Sequence, residues 1–88
     1  MTITQIRYAI AVAETSFMTK AAARVGVRQP SVSNAIADLE REINMQLFER
    51  AAKGVKLTKP GKEFFSEIHA LCQSVARMEE RYQPVVFR

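Results

Sequence analysis

Phe64, Ile68, Leu71, Val75, Met78 and Tyr82 are spaced four, three, four, three and four residues apart. An apolar repeat of 3.5 residues held over this length requires one continuous helix, and it marks a coiled-coil seam more than ordinary globular packing. With 88 residues in all, there is room for one small hydrophobic core and little else to cover such a stripe. The start of the helix, at Phe64 and Phe65, is expected to close the chain's own core, while Leu71 to Tyr82 meets another molecule. The rival reading has the whole helix closing its own domain. Pro84 ends the helix.

Shorter amphipathic segments precede it. Ile3, Ile6, Ala9, Ile10 and Ala13 recur on one helix face, so a first helix is expected over Ile3 to Ala13. Thr15 and Ser16 offer hydroxyl caps to a second helix, along which Ala21, Ala22 and Val25 form a narrow stripe that lets neighbours approach closely. Gly26 stops that helix, because glycine enters the left-handed conformation at a C-terminus without steric cost. Pro30 suits the first turn of a third helix, where its missing N–H costs nothing, and Val32, Ile36, Leu39 and Ile43 follow at helical spacing.

The opposite face of this third helix carries Ser31, Ser33, Asn34, Ala37, Asp38 and Arg41. Its front is short, polar and uncharged, whereas a merely solvated face more often carries Lys and Glu. Leu47-Phe48 and Val55-Lys56-Leu57 then flank a loop containing Gly54, which reads as two short strands. Thr58 caps the long fourth helix, with Pro60 in its first turn. The fold class expected is mainly α with a small β-hairpin.

The second helix, the turn at Gly26 and the third helix make a helix-turn-helix, whose second helix can enter the major groove of DNA; the hairpin makes it winged. Thirteen Lys and Arg against nine Asp and Glu give a net charge of +4, which favours a polyanionic partner. The placement agrees. Lys20, Arg24 and Arg28 fall between Glu14 and Asp38 with no acid among them, and Arg50, Lys53, Lys56, Lys59 and Lys62 run uninterrupted from Glu49 to Glu63. Phosphate neutralisation needs cations around the reading helix and the wing.

Ser16-Phe17-Met18-Thr19-Lys20-Ala21-Ala22, Gln29-Pro30-Ser31-Val32-Ser33, Leu39-Glu40, Leu47-Phe48-Glu49-Arg50 and Gly54-Val55-Lys56-Leu57-Thr58-Lys59-Pro60-Gly61 together resemble the LysR-type transcriptional regulators, in order and over nearly the whole chain. The resemblance implies a winged helix-turn-helix DNA-binding domain over residues 1–58 and a linker helix over 59–84 that dimerises antiparallel with its partner's, leaving a tail at 85–88. It also implies a C-terminal effector-binding domain. Because the chain ends six residues after Tyr82, either it is a fragment lacking that domain, which is the expectation favoured, or its gene encodes only this part; a small-molecule effector is expected to act only through the missing domain.

Position by position, the resemblance puts Gln29, Pro30, Ser31, Ser33 and Asn34 at the base-reading end of the third helix, and Arg50 and Lys53 at the wing. Two positions depart from the family pattern. Arg28 stands where a capping Ser is common, so a cap is lost and a cation gained near a phosphate. Asn34 stands where Arg is frequent, and an amide prefers adenine where Arg prefers guanine. The bland alternatives are an exposed helix start rich in capping residues and a solvated basic hairpin, with Arg50 paired to Glu49 or another acid.

Other chemistries find little support. His69 and Cys72 lie three apart, but zinc wants four ligands and the sequence has no other His or Cys. Ser31 and Ser33 lack any motif that would activate a hydroxyl. No enzyme activity, metal or cofactor is expected. The longest uncharged stretches, Gln29 to Ala37 and Ile68 to Ala76, are nine residues each, against the roughly 20 of a membrane-spanning helix. The N-terminus shows no basic leader followed by an apolar run, so a cytoplasmic protein is expected. The absence of Trp disfavours a single-strand binding platform. The reading is sequence-specific binding to double-stranded promoter DNA that controls transcription, as a homodimer through Phe64, Ile68, Leu71, Val75, Met78 and Tyr82, with a tetramer left open for the full-length protein. The alternative is a protein-interaction module without specific DNA binding.

Overall fold

Thr2 opens the first helix, α1 (Ile3–Thr15), with a reciprocal cap: its hydroxyl accepts from the Gln5 N–H, and the Gln5 side chain accepts from the Thr2 N–H. In this computed structural model, which describes residues 1–82, α1 buries Ala9, Ala11 and Val12. Of the expected stripe only Ala9 is buried: Ile3 is 77% exposed, Ile6, Ile10 and Ala13 are half-buried, and Ala11 and Val12, outside it, complete the buried face. The core against which α1 packs centres on Ala9 and Val12, and Ile3 lies two helical turns or about 10 Å before it.

Thr15 and Ser16 close α1 instead of capping the next helix. The Thr15 hydroxyl donates to the Ala11 carbonyl at 2.7 Å, and Ser16, at φ 65°, donates its N–H to the Val12 carbonyl. With those hydroxyl and backbone groups turned back on the preceding helix, α2 (Met18–Val25) starts from an extended Phe17 with no side-chain cap. Gly26 ends α2 at φ 76°, as the sequence requires.

The third helix, α3 (Gln29–Ile43), has Pro30 in its first turn and Arg28 as a cap residue whose side chain makes no capping bond. Val32, Ile36 and Leu39 are buried and Ile43 is half-buried, the stripe expected. Strand β1 (Phe48–Arg50) pairs antiparallel with β2 (Val55–Leu57) in the register Phe48 with Leu57, Glu49 with Lys56 and Arg50 with Val55. Thr58 caps α4 (Lys59–Arg81), accepting from the Gly61 N–H at 3.0 Å.

The architecture is mainly helical with a two-stranded antiparallel wing: a winged helix-turn-helix followed by a long helix. The core is built from α1, α2 and α3, with Leu47 and Phe48 entering from the wing side. Val12, Val32, Leu39 and Leu47 are its largest fully buried side chains, each contributing about 1.5–3 kcal/mol relative to exposure. Packing does not stop at residue 58. Phe64 and Phe65 lie against the core, Phe65 edge-on to Phe48 with ring centroids 5.9 Å apart, and Ile68 is 8% exposed. Phe64 and Ile68 are therefore occupied within their own chain, and the uncovered part of the apolar repeat is Leu71, Val75, Met78 and Tyr82. Pro84 and the expected tail at 85–88 lie outside the described residues.

Candidate nucleic-acid interface

Helix α3 is anchored along its length by the buried stripe Val32, Ile36 and Leu39, and the opposite face of its first turns is open to a partner. Gln29, Pro30, Ser31 and Asn34 are exposed and Ser33 is half-buried. The Gln29 amide nitrogen donates to the Ser33 hydroxyl, which joins two of the candidate residues into one unit. Ser31 and Asn34, three apart, lie on neighbouring positions of the same face, and among the described residues neither side chain is engaged in a hydrogen bond. Farther along that face, Arg41 is ion-paired to Asp38. The unpaired polar surface is thus confined to the front of α3.

The wing stands beside it. Gln29 and Ser33 on one side and Glu49, Arg50 and Gly54 on the other wall a groove of about 490 Å³. Glu49 faces Lys56 across the hairpin at 3.6 Å, so Lys56 and not Arg50 takes up that acid. Arg24 is bound to Glu14 at 2.6 Å, which removes it from the free cations around the helix-turn-helix. Both pairs are exposed and contribute at most about 1 kcal/mol, yet they sort the basic residues. Among the described residues, Arg28, Arg50 and Lys53 are exposed and have no acidic partner, and Lys20 lies with its ammonium 4.5 Å from the Phe17 ring centroid. Arg28 adjoins the front of α3 in sequence, Arg50 lines the groove across from it, and Lys53 lies in the hairpin turn beyond Arg50.

Two ties that set this geometry are invisible to pattern reading. The Glu40 carboxylate, half-buried near the C-terminal end of α3, accepts from the Leu47 N–H at 2.6 Å and the Phe48 N–H at 3.2 Å, joining α3 to the start of β1. The Val55 N–H donates to the Ser16 carbonyl at 2.8 Å, joining the second strand to the turn between α1 and α2. Glu40 falls inside one of the fragments that carried the resemblance, but its periodicity marks it only as a surface position.

Among the described residues, no group of three or more His, Cys, Asp and Glu is placed to hold a metal ion, and no helix is long and apolar enough to cross a membrane. Cys72 is an exposed free thiol.

The family model for the bacterial regulatory helix-turn-helix proteins of the LysR family matches residues 3–62. The chain belongs to that family. This LysR-family chain is 42% identical over 83 residues to the HTH-type transcriptional regulator TfdT of Cupriavidus pinatubonensis, a match covering 94% of the chain and 36% of the regulator. It is 37% identical over 78 residues to the regulator BenM of Acinetobacter baylyi, covering 89% of the chain and 26% of BenM. The chain thus spans about a third or less of the length of these curated relatives.

Among solved structures, the LysR-family fold is shared with the BenM DNA-binding domain in complex with benA site 1 DNA, at a TM-score of 0.85 and 35% identity, covering 94% of this chain and 93% of that one. The CbnR DNA-binding domain in its DNA complex matches with a TM-score of 0.82 and 32% identity, covering 94% and 95%. Full-length BenM, as an R156H mutant, matches with a TM-score of 0.84 and 33% identity over 99% of this chain and 28% of that one.

Proposed function

We propose that this chain is the part of a LysR-type transcriptional regulator that binds double-stranded promoter DNA in a sequence-specific way. The observation that carries the reading is the uncharged front of α3 standing across one groove from the unpaired Arg50 of the wing, with Lys53 exposed in the same hairpin. A helix presenting short polar side chains reads base edges, and cations beside it hold phosphates and fix the register. In this reading Ser31, Asn34 and the Gln29–Ser33 unit face the major groove, with Pro30 setting the helix start. Arg28 sits at a flanking phosphate, and Arg50 and Lys53 carry the wing to the backbone or minor groove. Two relatives, BenM and CbnR, have been solved with DNA on this same domain, which supports the reading.

The chain acts by binding, not by catalysis, in the cytoplasm where promoter DNA is accessible. Two copies join through the uncovered face of α4 and present two reading helices to two half-sites. Response to a small-molecule effector belongs to a region beyond this chain, as does any tetramer. Selection from a library of random duplexes, followed by a salt titration on the enriched sequence, tests the proposal. The expected result is one enriched motif and an affinity falling linearly with the logarithm of salt concentration. No enrichment and no salt dependence would transfer the function to the exposed apolar face of α4 as a protein-interaction module.

A further inference from the structure

The hairpin turn is built onto the corner between α1 and α2 through Gly54. This residue has φ +72°, and a Cβ placed on it would stand 2.1 Å from the Ser16 carbonyl oxygen and 3.0 Å from the Phe17 ring. The next residue, Val55, donates its N–H to that same carbonyl at 2.8 Å. Ser16 is itself left-handed, at φ 65°. Its carbonyl is thus the seat of a backbone-to-backbone latch that only glycine can approach closely enough to close.

The latch adjoins the wing cations in register and in sequence. Val55 is the register partner of Arg50, and Gly54 follows Lys53 in the turn. A hairpin of two three-residue strands has too few ladder bonds to hold its own orientation. A wing left free would have to be ordered at the moment of binding, at an entropic cost. Resting on the reading that the wing meets DNA, we propose that Gly54 is a positioning residue. By latching β2 to the Ser16 carbonyl, it holds Arg50 and Lys53 at a fixed place relative to the front of α3, so that helix and wing grip the duplex as one surface.

Four substitutions in this chain, made singly and in combination, test the proposal. Gly54→Ala introduces the collision, and Gly54→Asn does so with a residue that tolerates positive φ, which guards against simple misfolding. Gly26→Ala is the control: it imposes the same strain at φ +76° but meets nothing within 4 Å. Lys53→Ala is made in the native chain and in each of the Gly54 backgrounds, Gly26→Ala serving only as the exchange control. In the native chain, Lys53→Ala should lower the salt slope of DNA binding by about one unit. In Gly54→Ala or Gly54→Asn the slope should already be lowered, with no further loss on removing Lys53. Amide exchange at Val55 should accelerate at least about tenfold in both Gly54 variants relative to the Thr58 amide, and not in Gly26→Ala. A Lys53 effect of full size in the Gly54 variants would overturn the positioning role, and unchanged exchange at Val55 would overturn the latch. If Lys53→Ala has no effect even in the native chain, the wing–DNA reading falls by itself, and the exchange measurement still decides the latch.

Discussion

Asn34 stands a little over one turn into α3, exposed and with no hydrogen bond to its amide among the described residues. Its neighbours on the helix start are less free: Pro30 has no polar side chain, and Gln29 is tied to Ser33. If α3 enters the major groove as proposed, such an unengaged amide can donate to adenine N7 and accept from N6, a pairing that discriminates by about 1–3 kcal/mol. Asn34→Arg is expected to shift preference at one base pair of each half-site from A·T toward G·C while keeping or raising non-specific affinity. Asn34→Ala should flatten preference at that position alone. Coincident selected-site profiles for the native chain and both variants would move specificity to the Gln29–Ser33 unit or to the deformability of uncontacted DNA.

Elements report what the sequence can and cannot convey. The α3 stripe, the Gly26 stop, the Thr58 cap and the two strands were all legible, because each depends on residues within a few positions of one another. Thr15 and Ser16 misled for the same local reason: a hydroxyl between two helices can serve either, and only the packing decides that it closes α1. What stayed illegible is non-local. The Arg24–Glu14 pair spans 10 residues and the Glu40 carboxylate reaches 7 and 8 residues ahead, distances at which no periodicity speaks. Glu40 is nevertheless the residue that joins α3 to β1. Replacing it with Ala leaves two part-buried N–H groups without their acceptor, at a cost of about 1–3 kcal/mol. Urea unfolding of Glu40→Ala should show a lower midpoint at unchanged m-value, and Glu40→Gln, whose amide oxygen still accepts, should lose clearly less. Equal midpoints for the two variants would show that the tie carries no stability of its own.

At the scale of the whole molecule, α4 divides into two parts with different partners. Phe64, Phe65 and Ile68 are covered by the chain itself, whereas Leu71, Val75, Met78 and Tyr82 are 53%, 47%, 58% and 59% exposed on one face. Four large apolar side chains in a row are the sort of surface that a second amphipathic helix covers. A matching stripe on a second copy gives a two-fold arrangement in which each residue of the seam meets its counterpart region. Leu71→Asp tests this cleanly, because Leu71 lies outside the chain's own core: helical content and the unfolding of the winged domain should be preserved. The substitution buries an unpaired carboxylate in the seam, so sedimentation should show a dimer at micromolar concentration becoming monomer. Gln73→Asp, exposed and off the stripe, should leave the dimer intact. DNA binding supplies the second readout. Loss of the dimer removes the effective concentration that links two reading helices, so affinity for a two-half-site duplex should fall by about 100-fold or more. Affinity for a single half-site should barely change. A Leu71→Asp chain that remains dimeric, or that loses both affinities equally, would place the dimer contact somewhere other than α4.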